Sequence, residues 1–207
     1  TIKRRSGFTG PLITVSGGSL TLKNITINGG SGTPSSSSIA TNTTYASGSA
    51  KAPLIVVESG ATLNIRDGAV LEYNSNKPDT NSGGTNIVIN GYVGMGGAVY
   101  CQGNLDMSGG TIRYCEALSG GGIYIESAGT GQITFNLSGG TITNNYARDI
   151  VEISSSSRKP YHKNAGGGVY VGDYVTMNMS GGTIEGGNAA NGGSICVNGL
   201  NSTAIFE

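Results

Sequence analysis

The chain has 207 residues with 12 Lys plus Arg against 12 Asp plus Glu, so the formal net charge is zero, which argues against a nucleic-acid surface or a strongly anionic membrane partner. Charged residues make up 12%, about half the usual share, leaving a surface expected to be coated with the hydroxyls and amides of Ser, Thr and Asn. No apolar run approaches the roughly 18 residues that span a membrane, no basic-then-apolar leader opens the chain, and 37 glycines penalise helix throughout.

Thr1 to Gly10 shows no clear cap for a stack of strands. The first alternating run is Leu12-Ile13-Thr14-Val15, followed by Leu20-Thr21-Leu22 and by Ile27, approached through Thr26. After segment 29–52, with a serine run at Ser35 to Ser38, the order returns as Ile55-Val56-Val57, Leu63-Asn64-Ile65 and Val70, with Ala69 where a threonine is expected. Segment 75–95 intervenes, and Asn74 to Gly84 is rich in loop-forming Asn, Ser, Asp and Gly. Val99-Tyr100-Cys101, Leu105-Asp106-Met107 and Thr111-Ile112 then lead directly into Ile123-Tyr124-Ile125, Phe135-Asn136-Leu137 and Thr141-Ile142. Segment 148–164, with serines at 154–157, precedes Val169-Tyr170-Val171, Met177-Asn178-Met179 and Thr183-Ile184. Ile195-Cys196-Val197 opens a last unit, and Ala204-Ile205-Phe206-Glu207 reads as a strand of the next coil, as in a fragment of a longer surface protein.

The pentapeptide Ser-Gly-Gly-Thr-Ile recurs at Ser108, Ser138 and Ser180, always in the same place in the pattern. Equivalent residues Leu22, Ile65, Met107, Leu137 and Met179 are spaced by 43, 42, 30 and 42 residues, a period typical of solenoids. Side chains alternate along a strand, so each triplet turns its outer residues one way and its middle residue the other. The expectation is an all-β, right-handed parallel β-helix solenoid: one domain over 1–207, about six coils of three short strands, and long loops at one corner, 29–52, 75–95 and 148–164. A sandwich would need hairpin turns between neighbouring strands, and a propeller would carry Trp-Asp repeats; the chain has no tryptophan.

Cys101 falls in an inward slot and Cys196 in the outward row, and with Cys115 they show no Cys-x-x-Cys spacing, so neither a zinc site nor a disulfide framework is expected. The units Gly96-Gly97-Ala98-Val99, Gly121-Gly122-Ile123-Tyr124, Gly167-Gly168-Val169-Tyr170 and Gly193-Ser194-Ile195 alternate with the Ser-Gly-Gly-Thr-Ile units. Over roughly residues 10–200 this pattern resembles the pectate-lyase-like β-helix superfamily. More narrowly it is similar to passenger repeats of bacterial surface adhesins, including polymorphic outer-membrane proteins with Gly-Gly-Ala-Ile-type repeats, and to cell-wall proteins of gut Firmicutes. Tyr114-Cys115-Glu116-Ala117 and Asn144-Asn145-Tyr146-Ala147 stand where those polymorphic proteins carry Phe-x-x-Asn. The resemblance implies an extracellular, surface-attached protein.

The same superfamily includes polysaccharide lyases and glycoside hydrolases, so catalytic acids must be sought. A glycosidase needs two carboxylates about 5 to 10 Å apart. Glu58 and Glu126 are expected in one row, two coils apart with Gln102 between them, at about 9–10 Å. The remaining acids are scattered, with Asp106 in the middle of a second strand, Asp67 at a corner and Glu185 on a third strand. No Asp-Asp, Gly-His-Gly or Arg-Ile-Lys motif is present, and the single histidine, His162, lies among cations in a loop. No catalytic residue, metal ligand or cofactor is assigned.

The middle residues Tyr100, Tyr124 and Tyr170 form an outward row preceded by Val56 and followed by Cys196. A tyrosine ladder beside Gln102 and Glu126 offers flat faces with polar tips for sugar rings or a protein, although such rings also stabilise a sheet by themselves. Outward Thr26, Thr111, Thr141 and Thr183 raise an ice-binding face, but the next outward positions, Asn28, Arg113, Thr143 and Glu185, break a flat threonine array. The sequence therefore points to a non-enzymatic adhesin or binding segment that contacts a host or dietary glycan or a surface protein through Tyr100, Tyr124, Tyr170, Gln102, Glu126 and the corner loops. A β-helix lyase or hydrolase and a rigid spacer are the alternatives.

Overall fold

The computed structural model describes residues 1–34, 50–77, 79–80, 87–88, 91–148 and 165–207. Most of the three expected insertions, the serine runs and the loop holding His162 lie outside the described residues. Among the described residues the protein is all-β without a helix, and its strands pair in parallel except for one short antiparallel pair, Asp79–Thr80 with Ile87–Val88.

Six three-residue strands make one sheet in chain order: Ile13–Val15, Ile55–Val57, Val99–Cys101, Ile123–Ile125, Val169–Val171 and Ile195–Val197. Each pairs with its counterpart one repeat on, so like residues sit beside like and Tyr100, Tyr124, Tyr170 and Cys196 share a row. The second sheet holds the other strands in the same manner. Leu20, Leu63, Leu105, Phe135, Met177 and Ala204 occupy one inward row. Thr203–Phe206 thus pairs with Thr176–Met179 as expected, and Ile2–Lys3 pairs with Ile27–Asn28.

Two sequence expectations need correction. The second and third strands are not separate in three repeats: Asn104–Ala117, Ile133–Thr143 and Val175–Glu185 each run unbroken through the Ser-Gly-Gly corner. The register shifts there, between Ser108 and Thr111 and between Ser138 and Thr141. The second glycine of each corner lies at φ 77°, 92° or 78° (Gly110, Gly140, Gly182), a left-handed bulge that bends a strand while keeping it in the sheet. The other correction concerns Val70. Leu71, not Val70, pairs with Ile27 and Ile112, while Val70 lies in the threonine row. The corner Arg66-Asp67-Gly68-Ala69 is one residue longer than its equivalents, which slides the following strand by one position and exchanges its faces.

The inward rows merge into one core containing Leu63, Ile65, Leu105, Met107, Phe135 and Ile142, all fully buried. Each such side chain contributes about 1.5–3 kcal/mol. Outside it, amides run in a ladder: Asn178 Nδ2 donates to Asn136 Oδ1 at 2.9 Å, and Asn136 Nδ2 to Asp106 Oδ1 at 2.7 Å. Inside one corner, buried asparagines take up main-chain groups that the bends leave unpaired. Asn74 Nδ2 donates to the carbonyls of Ala52 and Gly97, and Asn145 accepts from Cys115 N while donating to Ile112 O. Such buried polar groups cost stability unless each is satisfied.

Candidate functional site

The three tyrosines of the middle row stack on the side of their sheet away from the principal core. Ring centroids are 5.7 Å apart for Tyr100 and Tyr124, with 20° between planes, and 4.7 Å and 9° for Tyr124 and Tyr170. Strand spacing of about 4.8 Å sets this geometry, because identical side chains at one register position must stack. The ladder is not a free surface along its length. Tyr124 and Tyr170 are each only 8% exposed, and with Ala165 they form a second apolar cluster against which Met95, Tyr100 and Cys196 pack. Tyr100 is half-buried, with Tyr92 tilted against it at 6.3 Å.

One of the two polar residues expected beside the rings bonds a ring hydroxyl. Glu126 Oε2 accepts the Tyr124 hydroxyl, and Gln102, two residues after Tyr100, is half-buried. Asn198, which sequence reasoning passed over, donates to the Tyr170 hydroxyl at 3.4 Å. Glu58, Gln102 and Glu126 follow the first strand in successive repeats, and their amides donate to the carbonyls of Val15, Val57 and Cys101. The expected row therefore exists, and one of its two acids is occupied by a tyrosine hydroxyl.

Burial raises the hydroxyls of Tyr100, Tyr124 and Tyr170 above the ordinary tyrosine range, and the Glu126 carboxylate pushes all three further up. Burial likewise lifts the thiols of Cys101 and Cys115 to about 12. Groups whose folded pKa lies above the unfolded value hold protons that the unfolded chain releases. Their stabilisation is complete below about pH 9 and declines as pH climbs toward about 12, by about 1.4 kcal/mol per pH unit for each fully mismatched group. Alkaline titration followed by tyrosinate absorbance should show the ladder ionising only as the fold is lost, with the urea midpoint falling over the same interval. Normal titration of all 10 tyrosines in a still-folded protein would contradict the buried stack.

No disulfide joins Cys101, Cys115 and Cys196, the first two buried and the last half-buried. No group of three or more His, Cys, Asp or Glu residues suited to a metal ion occurs among the described residues. The outward threonines Thr111, Thr141 and Thr183 do adjoin, but Val70 separates them from Thr26. The neighbouring row is charged, with Arg113 Nη2 on Glu72 Oε2 at 2.8 Å.

No family model, no curated protein and no solved structure matches this chain. The site must therefore be read from its own chemistry.

Three features escaped the sequence reading. Tyr73 and Tyr114 form a second ring stack, 5.2 Å apart at 17°. Glu116 and Arg148 make an almost fully buried ion pair at 2.8 Å, with the Arg148 guanidinium 4.8 Å from the Tyr146 ring. At the N-terminal end Arg4 is buried, donating to the carbonyls of Phe8, Gly10 and Pro53 and to Asn74 Oδ1. Nothing in local composition marks these residues, because Tyr73 with Tyr114, Glu116 with Arg148, and Arg4 with Pro53 and Asn74 meet only across repeats.

Proposed function

We propose that the chain is a right-handed parallel β-helix of about six coils, displayed outside the cell, whose role is contact with a glycan or surface protein rather than catalysis. Pairing of each strand with its counterpart in the next repeat supports the solenoid. The observation that carries the function is the ring ladder with its polar tips, Gln102, Glu126 and Asn198, outside the principal core. Contact goes through its less buried end, Tyr100 with Gln102 and Glu126, together with the corner loops. Flat aromatic groups with hydrogen-bonding edges suit sugar rings and protein anchors alike.

A glycan and extracellular-matrix array with the native protein beside Tyr100→Ala/Gln102→Ala tests this reading. That variant leaves the two buried rings in place, so its fold is expected to hold. Binding weakened by about tenfold or more in the variant supports the ladder margin as the contact. Retained binding moves the contact elsewhere, and no binding by either protein favours the spacer. The row of Glu58, Gln102 and Glu126 gives the enzyme reading its one foothold. Product released from a polysaccharide, and lost in Glu126→Gln, would reverse the ranking.

A further inference from the structure

Tyr73 and Tyr114 occupy the same corner of neighbouring repeats, and both lie in the left-handed backbone region at φ 52° and 53°. The next two repeats place Asn144 at φ 52° and Gly186 at φ 58° in that corner, the residue types that take this conformation most readily. A tyrosine is held there against its backbone preference, which points to a use for its ring. Both rings are half-buried, unlike Tyr124 and Tyr170. Beyond Tyr114 the row passes to Asn144, which carries no ring to continue the stack.

Polar groups line the neighbouring row. Arg113 lies 5.8 Å from the Tyr114 centroid. Its Nε and Nη2 donate to Glu72 Oε2 at 2.9 and 2.8 Å, and Asn28 Nδ2 donates to Glu72 Oε1 at 3.1 Å. The guanidinium is thereby fixed, its Nη1 has no partner among the described residues, and Thr143 is its neighbour in the row. The Glu72–Arg113 pair balances its own charge, so the surroundings favour an uncharged ligand with many hydroxyls.

We infer that the Tyr73/Tyr114 stack is a binding platform for a neutral hexopyranose chain, with sugar C–H faces on the rings and hydroxyls on Arg113 and Thr143. The inference rests on the glycan-binding reading above and assigns it a second site, at a corner and not on the sheet face that carries the Tyr100 ladder.

The decisive variant is Tyr73→Asn/Tyr114→Asn, because the chain itself uses asparagine at this corner. Saturation-transfer NMR with cellohexaose, mannohexaose and maltohexaose, and with hexagalacturonate as the charged control, provides the readout. At least one neutral hexasaccharide should bind the native protein, and the variant should bind it about tenfold or more weakly with a melting temperature no lower than native. Equal affinity in the variant, preference for hexagalacturonate, or no neutral binding at about 10 mM overturns the inference. Should the asparagine pair fail to fold, Arg113→Gln alters a side chain that is 42% exposed. Weakening by about fivefold is then expected, and unchanged affinity overturns the platform. Array binding that depends on Tyr100 and Gln102 but not on Tyr73 and Tyr114 would sink the platform while sparing the wider reading.

Discussion

Gly121→Ala is expected to destabilise the protein by about 3 kcal/mol or more. A Cβ on Gly121 would sit 2.4 Å from the Gly167 carbonyl oxygen and 2.4 Å from main-chain atoms of Tyr146. Gly97 meets the Gly121 oxygen and Gly167 the Gly193 oxygen in the same way. All these neighbours are backbone atoms of the adjoining repeats, which cannot turn aside as a flexible side chain would. Gly121 does not lie in the left-handed region, so the cost is steric and not conformational. Gly129 is the control, since nothing lies within 4 Å of its added Cβ, and Gly129→Ala should stay within about 0.5 kcal/mol of native. Urea midpoints of the two variants check both statements. A Gly121→Ala protein as stable as the control would mean that the repeats stack less closely than described here.

Glu116→Gln is the second large effect, at about 3–5 kcal/mol. Glu116 is fully buried and the Arg148 side chain 3% exposed, so removing the carboxylate charge deprives a desolvated guanidinium of a counter-charge at 2.8 Å. The Arg148 main-chain amide is itself bonded to Ala117 O at 2.7 Å, and the Tyr146 ring lies beside the guanidinium, so the cation has little freedom to escape to water. The pair's own net worth is smaller than the damage from breaking it. Apolar replacement of both groups is often neutral or favourable, and Glu116→Leu/Arg148→Met should recover at least half of the loss. Thermal and urea unfolding of the two variants decide between these roles. A mild Glu116→Gln defect would show that water or a second partner compensates the Arg148 guanidinium.

The strand pattern was legible because it depends on period-two alternation and on glycine corners, both written locally. Leu63-Asn64-Ile65 and Phe135-Asn136-Leu137 declare their inward and outward faces without any knowledge of the rest of the chain, and the row of Tyr100, Tyr124 and Tyr170 follows from it. The register at Val70 was misread because Ala69 mimicked the threonine position and hid the extra corner residue. Continuity through Ser-Gly-Gly was misread because two glycines look like a break, whereas a left-handed Gly110 lets the strand bend and go on. Of the candidate site, its residues and their stacking could be anticipated. The covering of Tyr124 and Tyr170 could not, since it comes from Met95, Ala165 and Cys196 in distant segments. The left-handed tyrosines were invisible for a different reason: nothing in a sequence marks φ above zero at a residue that usually avoids it.

Pairing of each parallel strand with its counterpart one repeat away, as seen among the described residues, also sets how order is lost. A strand bonded to its two neighbours gains nothing directly from repeats farther along, so cooperativity is short-ranged and one-dimensional. Disorder entering at one repeat then advances as a front, one repeat at a time, so the amides of a repeat exchange with solvent only once a neighbour has opened. A nick inside one repeat divides the stack into two shorter ones, each still zipped along its own length.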